Sequence, residues 1–214
     1  MSRRIIGLTG MYCAGKNYIG RILETMGLPV LDVDTQGHQV VEAERETLIA
    51  RFGPAILGPG GNIDRKLLGK RVFGRPQDLA DLEGIIHPAV NRMTDAWIDA
   101  QTAGPCVINA ALLHRSSALP RLDCVILVKA PWWLRLLRAK KRDRLPWGTL
   151  INRFKSQAPF DAQYMRLKTD MYCMYNIGCI PLGSRLQRRN LERRLRGIIL
   201  SRSDRAAPVS IPGW

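Results

Sequence analysis

The apolar and polar positions at the start of the chain predict a strand followed by an amphipathic helix. Residues 5–10, Ile-Ile-Gly-Leu-Thr-Gly, form a mostly apolar run that glycines interrupt, so we interpret it as a first strand and not as a signal peptide. After Lys16, apolar residues recur at the three- and four-residue spacing of one helix face. These residues are Ile19, Ile22, Leu23 and Met26.

A second strand is predicted directly after this helix. Gly27 and Pro29 are typical of a helix end, and Val30–Asp34 is a short apolar run that finishes in acidic residues. A strand, a loop, a helix and a second strand in this order predict that strands one and two are parallel.

Residues 35–104 show helical patterns and no convincing strand. Turn sequences at residues 58–61, residues 74–76 and His87-Pro88 separate the helices. The predicted helices are Val40–Phe52, Arg65–Val72, Gln77–Ile86 and Pro88–Gln101. We interpret residues 35–104 as a mainly helical lobe inserted between the second and third strands.

The rest of the chain predicts three more strands and three more helices. The strands are Cys106–Ala110, Asp123–Val128 and Tyr172–Asn176. The helices run from Pro131 to about Arg142, over Thr149–Gln157 and over Arg185–Leu200, the last with Leu186, Leu191, Leu195 and Ile198/Ile199 facing inward. We expect the tail from Ser201 to be disordered, and no apolar run is long enough to span a membrane.

Charge is distributed unevenly along the 214 residues, whose formal net charge is +15. Residues 1–128 carry 14 Lys/Arg and 13 Asp/Glu, whereas residues 129–214 carry 19 and 5. Such an excess suits nucleotide phosphates, a nucleic acid or an acidic membrane surface, and it is equally typical of a solvated basic face. The five cysteines form no C-x-x-C pair, which favours a reducing, cytoplasmic location.

The chemistry begins between the first strand and the first helix. Gly10–Asn17 has the spacing G-x-x-x-x-G-K-[ST] of a phosphate-binding P-loop, except that Asn17 stands where a Ser or Thr hydroxyl normally holds Mg²⁺. The alternative is a glycine turn with a surface lysine. The candidate nucleotide-binding residues are Gly10, Met11, Tyr12, Cys13, Ala14, Gly15, Lys16, Asn17 and Tyr18, with Asn17 as a weak metal ligand.

Two further groups of charged residues suit phosphoryl transfer. Asp32 and Asp34 end the second strand, where they should face the phosphate loop and either accept a proton or orient Mg²⁺; alternatively, Asp34 only caps the next helix. Six cations precede a Pro-Trp-Gly hinge, and mobile arginines can close over a migrating phosphoryl group, although some belong to a solvated helix face. They are Arg135, Arg138, Lys140, Lys141, Arg142 and Arg144.

The series of motifs over about residues 5–180 resembles dephospho-CoA kinase, a P-loop kinase of the last step of coenzyme A synthesis. The segments that carry the resemblance are Ile6–Gly10 with Gly15-Lys16, Gly27–Asp34 with His38, Phe52-Gly53, Ile63–Gly69, Val72-Phe73, Leu82–Pro88, Leu112-Leu113, Ala130-Pro131, Arg138, Arg142-Asp143, Arg153 with Gln157, and Asn176–Gly178. The Asp-Arg-x-x-Leu-Gly and Ile-His-Pro segments among them are more specific than the phosphate loop.

The resemblance implies ATP-dependent phosphorylation of the ribose 3′-hydroxyl of dephospho-CoA, with Mg²⁺. It implies an α/β fold of the P-loop NTPase type: a five-stranded parallel sheet flanked by helices, with the helical substrate lobe and a small lid at about residues 135–160. A single kinase domain would occupy residues 1–200, leaving 201–214 as the tail. By the same resemblance Asp34 is the general base, Lys16 the phosphate-binding lysine and Arg142 a lid arginine. The implied substrate-binding residues are Asp34, His38, Arg65 and His87.

Several positions depart from the family pattern and leave alternatives open. Asn17 replaces Ser/Thr, Asn109 stands where an acidic residue usually ends the third strand, and His114-Arg115 replaces an aromatic-acidic pair. A weaker Mg²⁺ site would follow from the first two. The alternatives are a P-loop kinase for another nucleotide-like acceptor, or an inactive nucleotide-binding protein whose basic half binds nucleic acid or acidic membrane. Under the leading hypothesis nucleic acid is not an expected partner.

Overall fold

The computed structural model describes residues 3–156, 164, 169–178 and 184–201, which fall into two compact units. The first unit comprises residues 1–176 and the second residues 177–214. The tail predicted to be disordered lies outside the described residues apart from Ser201.

Five parallel strands form the centre of the first unit. They are β1 (Arg4–Gly10), β2 (Val30–Asp32), β3 (Pro105–Asn109), β4 (Cys124–Lys129) and β5 (Asp170–Tyr175). Their order in the sheet is β2-β3-β1-β4-β5, and every pairing is parallel. The predicted five-stranded parallel sheet is confirmed. Strands β1 and β2 are parallel as expected, but both pair with β3, which lies between them.

The central strands are apolar because both of their faces are covered. Ile6, Leu8, Val107, Ile108 and Ile126 are all fully buried. A strand that is hydrophobic at consecutive positions is typical of a parallel sheet with helices on both sides.

Helices connect the strands and supply the inserted lobe. They are α1 (Lys16–Thr25), α2 (Val33–Ala43), α3 (Arg45–Phe52), α4 (Arg65–Val72), α5 (Pro76–Ala100), α6 (Trp132–Asp143), α7 (Trp147–Ser156) and α8 (Ser184–Leu200). Short 3₁₀ turns lie at Pro54–Ile56, Leu113–Arg115 and Leu119–Arg121. No helix within the described ranges is both long and apolar enough to cross a membrane.

The inserted lobe has its own small core. Its buried side chains come from α3, the first 3₁₀ turn and α4: Leu48, Phe52, Ile56, Leu68 and Val72. The single helix predicted over Val40–Phe52 is instead divided at Glu44 into α2 and α3.

The prediction of a turn at His87-Pro88 was wrong, because α5 continues through Pro88. Proline removes one helical hydrogen bond and its ring crowds the carbonyl four residues earlier. That carbonyl belongs to Gly84, and both Gly84 and Pro88 lie on the exposed side of α5. Water can therefore satisfy the carbonyl that loses its partner.

The second strand ends earlier than predicted. β2 finishes at Asp32, whose carboxylate accepts a hydrogen bond from the Thr35 amide at 3.2 Å and so caps α2. Asp34 lies in the first turn of that helix and not at the end of the strand. The capping role considered for Asp34 therefore belongs to Asp32.

Smaller differences concern the last elements. Trp147 and Gly148, predicted as a hinge, form the first turn of α7, and Gln157 lies outside the described residues. Helix α8 starts one residue before its prediction and buries Leu191, Leu195 and Ile198, whereas the side chain of Leu186 is not among those described.

Two glycine substitutions should change the stability of this fold in opposite directions. A Cβ at Gly10 would lie 2.7 Å from the backbone oxygen of Val128, so Gly10→Ala must push β1 from β4 and should lower the free energy of unfolding by about 1–3 kcal/mol. A Cβ at Gly37, inside α2, meets nothing within 4 Å, so Gly37→Ala should raise it by about 0.5–1 kcal/mol. Denaturant unfolding measures both, and equal effects would contradict the packing described for Gly10.

Candidate active site

The phosphate loop forms a tight turn at the carboxyl end of the central strand. It leaves β1 at Gly10, folds back with the Ala14 amide donating to the Met11 oxygen at 2.9 Å, and enters α1 through Gly15. Cys13 and Gly15 have φ angles of 59° and 96°, in the left-handed region that favours glycine. The first turn of α1 contains no acidic residue, so the positive end of its dipole remains available to an anion.

A cleft of about 940 Å³ opens above this loop. It is lined by loop residues, by the end of β3 and by α6. The lining residues are Gly10, Met11, Tyr12, Cys13, Gly15, Lys16, Asn17, Tyr18, Asp34, Ala111, Leu112, His114, Arg115, Arg138, Lys141 and Arg142. Of the nine nucleotide-binding residues predicted, only Ala14 is not part of this lining, and it is fully buried.

Hydrogen bonds to the Ala14 carbonyl hold the phosphate loop in place. The Asn176 side-chain amide donates to it at 3.0 Å, and Arg138 donates to it at 3.3 Å and to the Asn176 carbonyl at 3.2 Å. A Cβ on Gly15 would lie 2.0 Å from the Asn176 amide nitrogen. Gly15 is therefore required both by its backbone angle and by the close approach of Asn176.

Lys16 and Asp34 meet inside the cleft. The Lys16 ammonium donates to the Asp34 carboxylate at 2.6 Å, and the other carboxylate oxygen accepts from the Ala111 amide at 3.2 Å. The lysine side chain is 11% exposed and the aspartate side chain 47%, so the carboxylate can still be reached from the cleft. Asp32 does not line the cleft.

The two asparagines that depart from the family pattern lie at different depths. Asn17 is exposed and lines the cleft, whereas Asn109 is 2% exposed and its Oδ1 has no hydrogen-bond partner among the described residues. The Asn109 amide lies beside α1, with its nitrogen 3.5 Å from where a Cβ of Gly20 would be. Because Gly20 follows Asn17 by three residues, both asparagines lie on the same side of α1.

Arg142 lies over the phosphate loop and is already paired. Its guanidinium makes two hydrogen bonds to Asp143, at 2.7 and 3.2 Å, and lies 5.0 Å from the centre of the Tyr12 ring. The Tyr12 hydroxyl also hydrogen-bonds Asp143, and Arg153 approaches the same carboxylate at 3.7 Å. The predicted lid arginine is thus at the cleft, with its charge balanced by a neighbouring carboxylate.

Tyr12 also contacts α6 and α7 through its backbone and ring. The Arg135 guanidinium donates to the Tyr12 carbonyl at 2.9 Å and lies 4.8 Å from the centre of the Phe154 ring. The Tyr12 and Phe154 rings meet edge to face at 5.6 Å. The bulky residue at this loop position is therefore a contact between the loop and α6 and α7.

A buried tyrosine organises the loop after β3. The Tyr164 hydroxyl lies 3.2 Å from the Thr9 hydroxyl and 3.2 Å from the His114 ring nitrogen Nδ1. Burial is the main reason that the pKa of Tyr164 is raised. Burial, helped by Arg115, lowers the pKa of His114, which keeps the imidazole neutral at neutral pH.

The cleft also contains a thiol whose pKa has shifted. Burial raises the pKa of Cys13, although the nearby guanidinium groups of Arg142, Arg135 and Arg138 act in the opposite direction. Cys13 is therefore a weak nucleophile at neutral pH.

The predicted substrate-binding residues of the helical lobe do not line this cleft. Arg65 is exposed at the start of α4 and lines a second cavity of about 590 Å³ with Asn62 and Lys66. His38 is exposed on α2 and His87 is half-buried on α5, and neither of these two cavities includes them. Among the described residues, the structure brings Lys16, Asp34, Asn17 and Arg142 together in the lining of the cleft. His38, Arg65 and His87 are not part of that lining.

Several lining residues were not among the predicted site residues. His114 and Arg115 follow β3, and their position after the carboxyl end of a parallel strand was the available signal. Tyr164 could not be predicted from the sequence, because its contacts with Thr9 and His114 join segments that are far apart along the chain. Within the described residues no cluster of three or more His, Cys, Asp or Glu side chains could hold a metal by itself.

Comparison with known proteins links this site to one family. A family model described as dephospho-CoA kinase matches residues 4–177. Among curated proteins, the dephospho-CoA kinase of Geobacter metallireducens is 35% identical over 163 residues, which cover 73% of this chain and 81% of that protein. The dephospho-CoA kinase of Treponema pallidum is 33% identical over 184 residues, covering 81% and 87%.

Solved structures agree on the fold. A Thermus thermophilus protein superposes with a TM-score of 0.75 at 29% identity, covering 94% of this chain and all of that one. Dephospho-CoA kinase from Campylobacter jejuni superposes with a TM-score of 0.63 at 21% identity, covering 92% and 97%, which supports the fold alone.

The pairing of Arg142 with Asp143 predicts how single substitutions change triphosphate binding. Asp143→Asn removes the carboxylate that competes for the guanidinium, so affinity for a nucleoside triphosphate should rise about two- to fivefold at low salt. Arg142→Gln should weaken binding, and the double variant should behave like Arg142→Gln. Calorimetry with a non-hydrolysable triphosphate measures all three. Tighter binding that persists in the double variant would show that Asp143 does not act through Arg142.

Proposed function

Because the chain belongs to the dephospho-CoA kinase family, we propose that it transfers the γ-phosphoryl group of ATP to the ribose 3′-hydroxyl of dephospho-CoA. The observation that carries this mechanism is the contact between Lys16 and Asp34 at the mouth of the phosphate loop, 2.6 Å between charged atoms. A phosphate-binding cation and a proton acceptor are thereby placed side by side in the lining of the same cleft.

The loop would bind the phosphates of ATP. Gly15, Lys16 and Asn17 line the cleft at the start of α1, and the helix dipole favours an anion there. Lys16 reaches the same volume, and on binding the triphosphate its ammonium would leave Asp34 for the β- and γ-phosphates. The carboxylate is then free to act as a base.

Asp34 would accept the proton of the attacking hydroxyl. The Ala111 amide holds one of its oxygens at 3.2 Å, so the other is directed toward Lys16 and the cleft. As the O–H bond breaks, the ribose oxygen forms its bond to the γ-phosphorus, and the bond from that phosphorus to the β-phosphate oxygen breaks. ADP leaves, and the proton remains on the carboxylate until solvent removes it.

The lid arginines would stabilise the charge on the migrating group. Arg142 and Arg138 both line the cleft, and the several N–H donors of a guanidinium group suit phosphate oxygens. Arg138 is held by two backbone carbonyls of the loop region, which fixes its position before substrate binds. Arg142 would release Asp143 and bind phosphate oxygens instead. It would therefore contribute mainly in the transition state, when negative charge accumulates on the migrating group.

Mg²⁺ fits the residues that are present, together with the phosphates of ATP. Amide oxygens bind this ion, which usually keeps waters and takes only one or two protein ligands. Asn17 lines the cleft beside Lys16, and the buried, unpartnered Oδ1 of Asn109 can accept a hydrogen bond on the same side of α1. The ion would supply charge neutralisation on the β- and γ-phosphates.

The role of the helical lobe in holding dephospho-CoA remains part of the proposal. His38, Arg65 and His87 belong to motifs shared with the family, and Arg65 lines the second cavity. The division of residues 1–200 into a kinase domain with a lid at about 135–160 is likewise proposed. A cytoplasmic location is supported by Cys13, Cys106 and Cys124, none of which forms a disulfide bond within the part of the chain that the structure describes.

The direct test is an assay of the purified full-length protein with ATP, Mg²⁺ and dephospho-CoA, with detection of the 3′-phosphorylated product. We expect turnover with dephospho-CoA and little with nucleoside monophosphates. No product with any divalent metal would reject the proposed function, and a clear preference for a monophosphate would assign a different acceptor.

Substitution of the two acidic residues around the start of α2 should separate the base from the helix cap. Asp34→Asn should lower kcat by at least about a hundredfold, because loss of a general base typically costs 10²–10⁴. Asp32→Asn should leave kcat nearly unchanged, since asparagine caps a helix as well as aspartate does. Steady-state kinetics of the isosteric pair measures the difference, and equal losses would contradict the assignment of Asp34.

The position of Asn17 predicts a change in metal requirement. A hydroxyl is the usual ligand at this loop position, so Asn17→Ser should lower the Mg²⁺ concentration that gives half-maximal rate. The concentration is measured by titrating Mg²⁺ at saturating ATP, with Asn17→Ala as the variant lacking any side-chain ligand. An unchanged or higher requirement for the serine variant would show that the surroundings have adapted to asparagine.

A further inference from the structure

The outer side of α6 and α7 carries an unusual group of exposed apolar side chains. We call it the aromatic face, and it consists of Trp132 (67% exposed), Trp133 (53%), Leu137 (53%), Trp147 (48%) and Ile151 (44%). Three of the five tryptophans of the whole chain lie in it. Large apolar side chains that are exposed together mark a surface that binds something.

Four of the five side chains belong to one surface where α6 and α7 meet. Trp133 and Leu137 are one helical turn apart on α6, and Trp147 and Ile151 are one turn apart on α7. The Lys140 ammonium lies 5.1 Å from the centre of the Trp147 ring, which joins the two helices at this surface.

The aromatic face is separate from the site of phosphoryl transfer. The residues of α6 that line the cleft are Arg138, Lys141 and Arg142, and none of the five apolar side chains does so. On the side of α6 turned to the protein, Leu134, Arg135 and Ala139 are buried. The proposed reaction therefore gives no reason for the exposure of three tryptophans.

Within α6, α7 and the turn between them, cations outnumber carboxylates. Lys140, Arg144 and Lys155 come from the same two helices and the turn between them, and α7 contains no acidic residue. The only acidic residue of α6 is Asp143, whose side chain is 18% exposed and is occupied by Tyr12, Arg142 and Arg153. An occupant of this face meets apolar surface bordered by positive charge.

We propose that the aromatic face binds the surface of a bilayer rich in anionic phospholipids. Tryptophan prefers the boundary between headgroups and acyl chains, lysine and arginine are attracted to anionic headgroups, and aliphatic side chains gain by entering the acyl region. All three kinds of residue occur together here. A bilayer bound at this face leaves the cleft-lining side of α6 accessible to soluble substrates.

Two other occupants fit the face less well. Single-stranded nucleic acid would stack on the tryptophans, but Leu137 and Ile151 offer its bases no aromatic ring. A second copy of the chain would place two positively charged borders against each other within a molecule of net charge +15. A bilayer uses both the aliphatic side chains and the charge.

Vesicle sedimentation with the full-length protein tests the proposal without ATP or dephospho-CoA. We expect the partition coefficient to be at least tenfold higher for vesicles with roughly 30% phosphatidylglycerol than for pure phosphatidylcholine. It should fall severalfold between about 50 and 300 mM NaCl. Equal partition into both kinds of vesicle, or no partition into either, would overturn the proposal.

Serine substitutions locate the binding surface. Trp133→Ser with Leu137→Ser should lower partition into anionic vesicles about tenfold or more, and Ile151→Ser alone should lower it severalfold. Phe73→Ser is the matched control, since Phe73 is 73% exposed in the helical lobe, and it should alter partition less than twofold.

The remaining outcomes distinguish the other occupants. If light scattering shows a dimer that dissociates after the double substitution, the face binds a second copy of the chain. Binding of single-stranded RNA through this face, with no binding to vesicles, would assign it to nucleic acid. An equal loss of partition with Phe73→Ser would mean that binding is not localised to the aromatic face. Each of these results would overturn the proposal, whether or not the kinase assay succeeds.

Discussion

The carbonyl of Ala14 is the point on which the phosphate loop depends. The Asn176 amide from the end of β5 and the Arg138 guanidinium from α6 both bind it, so one backbone oxygen joins the loop, the edge of the sheet and α6. This geometry leaves no room for a side chain on Gly15. Once the loop is fixed, α1 begins at Lys16 with its dipole directed at the cleft, and the positions of Lys16 and Asp34 follow.

The same loop is coupled to α6 and α7 through the side chain of Tyr12. Its ring and hydroxyl contact Arg142, Asp143 and Phe154. A small residue at this position would leave Arg142 without its contact to an aromatic ring. The position of Arg142 is therefore determined partly by the phosphate loop itself.

Hydrophobic periodicity was sufficient to predict the sheet, because β1, β3 and β4 are buried on both faces and give unbroken apolar runs. For the cleft, the spacing of the phosphate-loop motif indicated Lys16, whereas Asp34 as a base and Arg142 were implied by the resemblance to the family; all three line the cleft. Rules that use only neighbouring residues gave wrong predictions at two places. Pro88 continues a helix because Gly84 and Pro88 face solvent, and Asp32 caps the helix that Asp34 was considered to cap. Contacts that depend on distant segments, such as Tyr164 with His114 or Asn176 with Ala14, leave no pattern that can be read from sequence.

The pairing of Arg142 with Asp143 has a consequence for selectivity among anions. A tethered neighbouring carboxylate acts at a high effective concentration, in the millimolar range or above for short connections. A free phosphate ion offers one binding group and must displace that carboxylate alone. A triphosphate held at the loop by Lys16 and backbone amides presents its own oxygens to Arg142 intramolecularly, so it competes on equal terms. Asp143 therefore weakens the binding of free phosphate to Arg142 more than it weakens the binding of a triphosphate that the loop already holds.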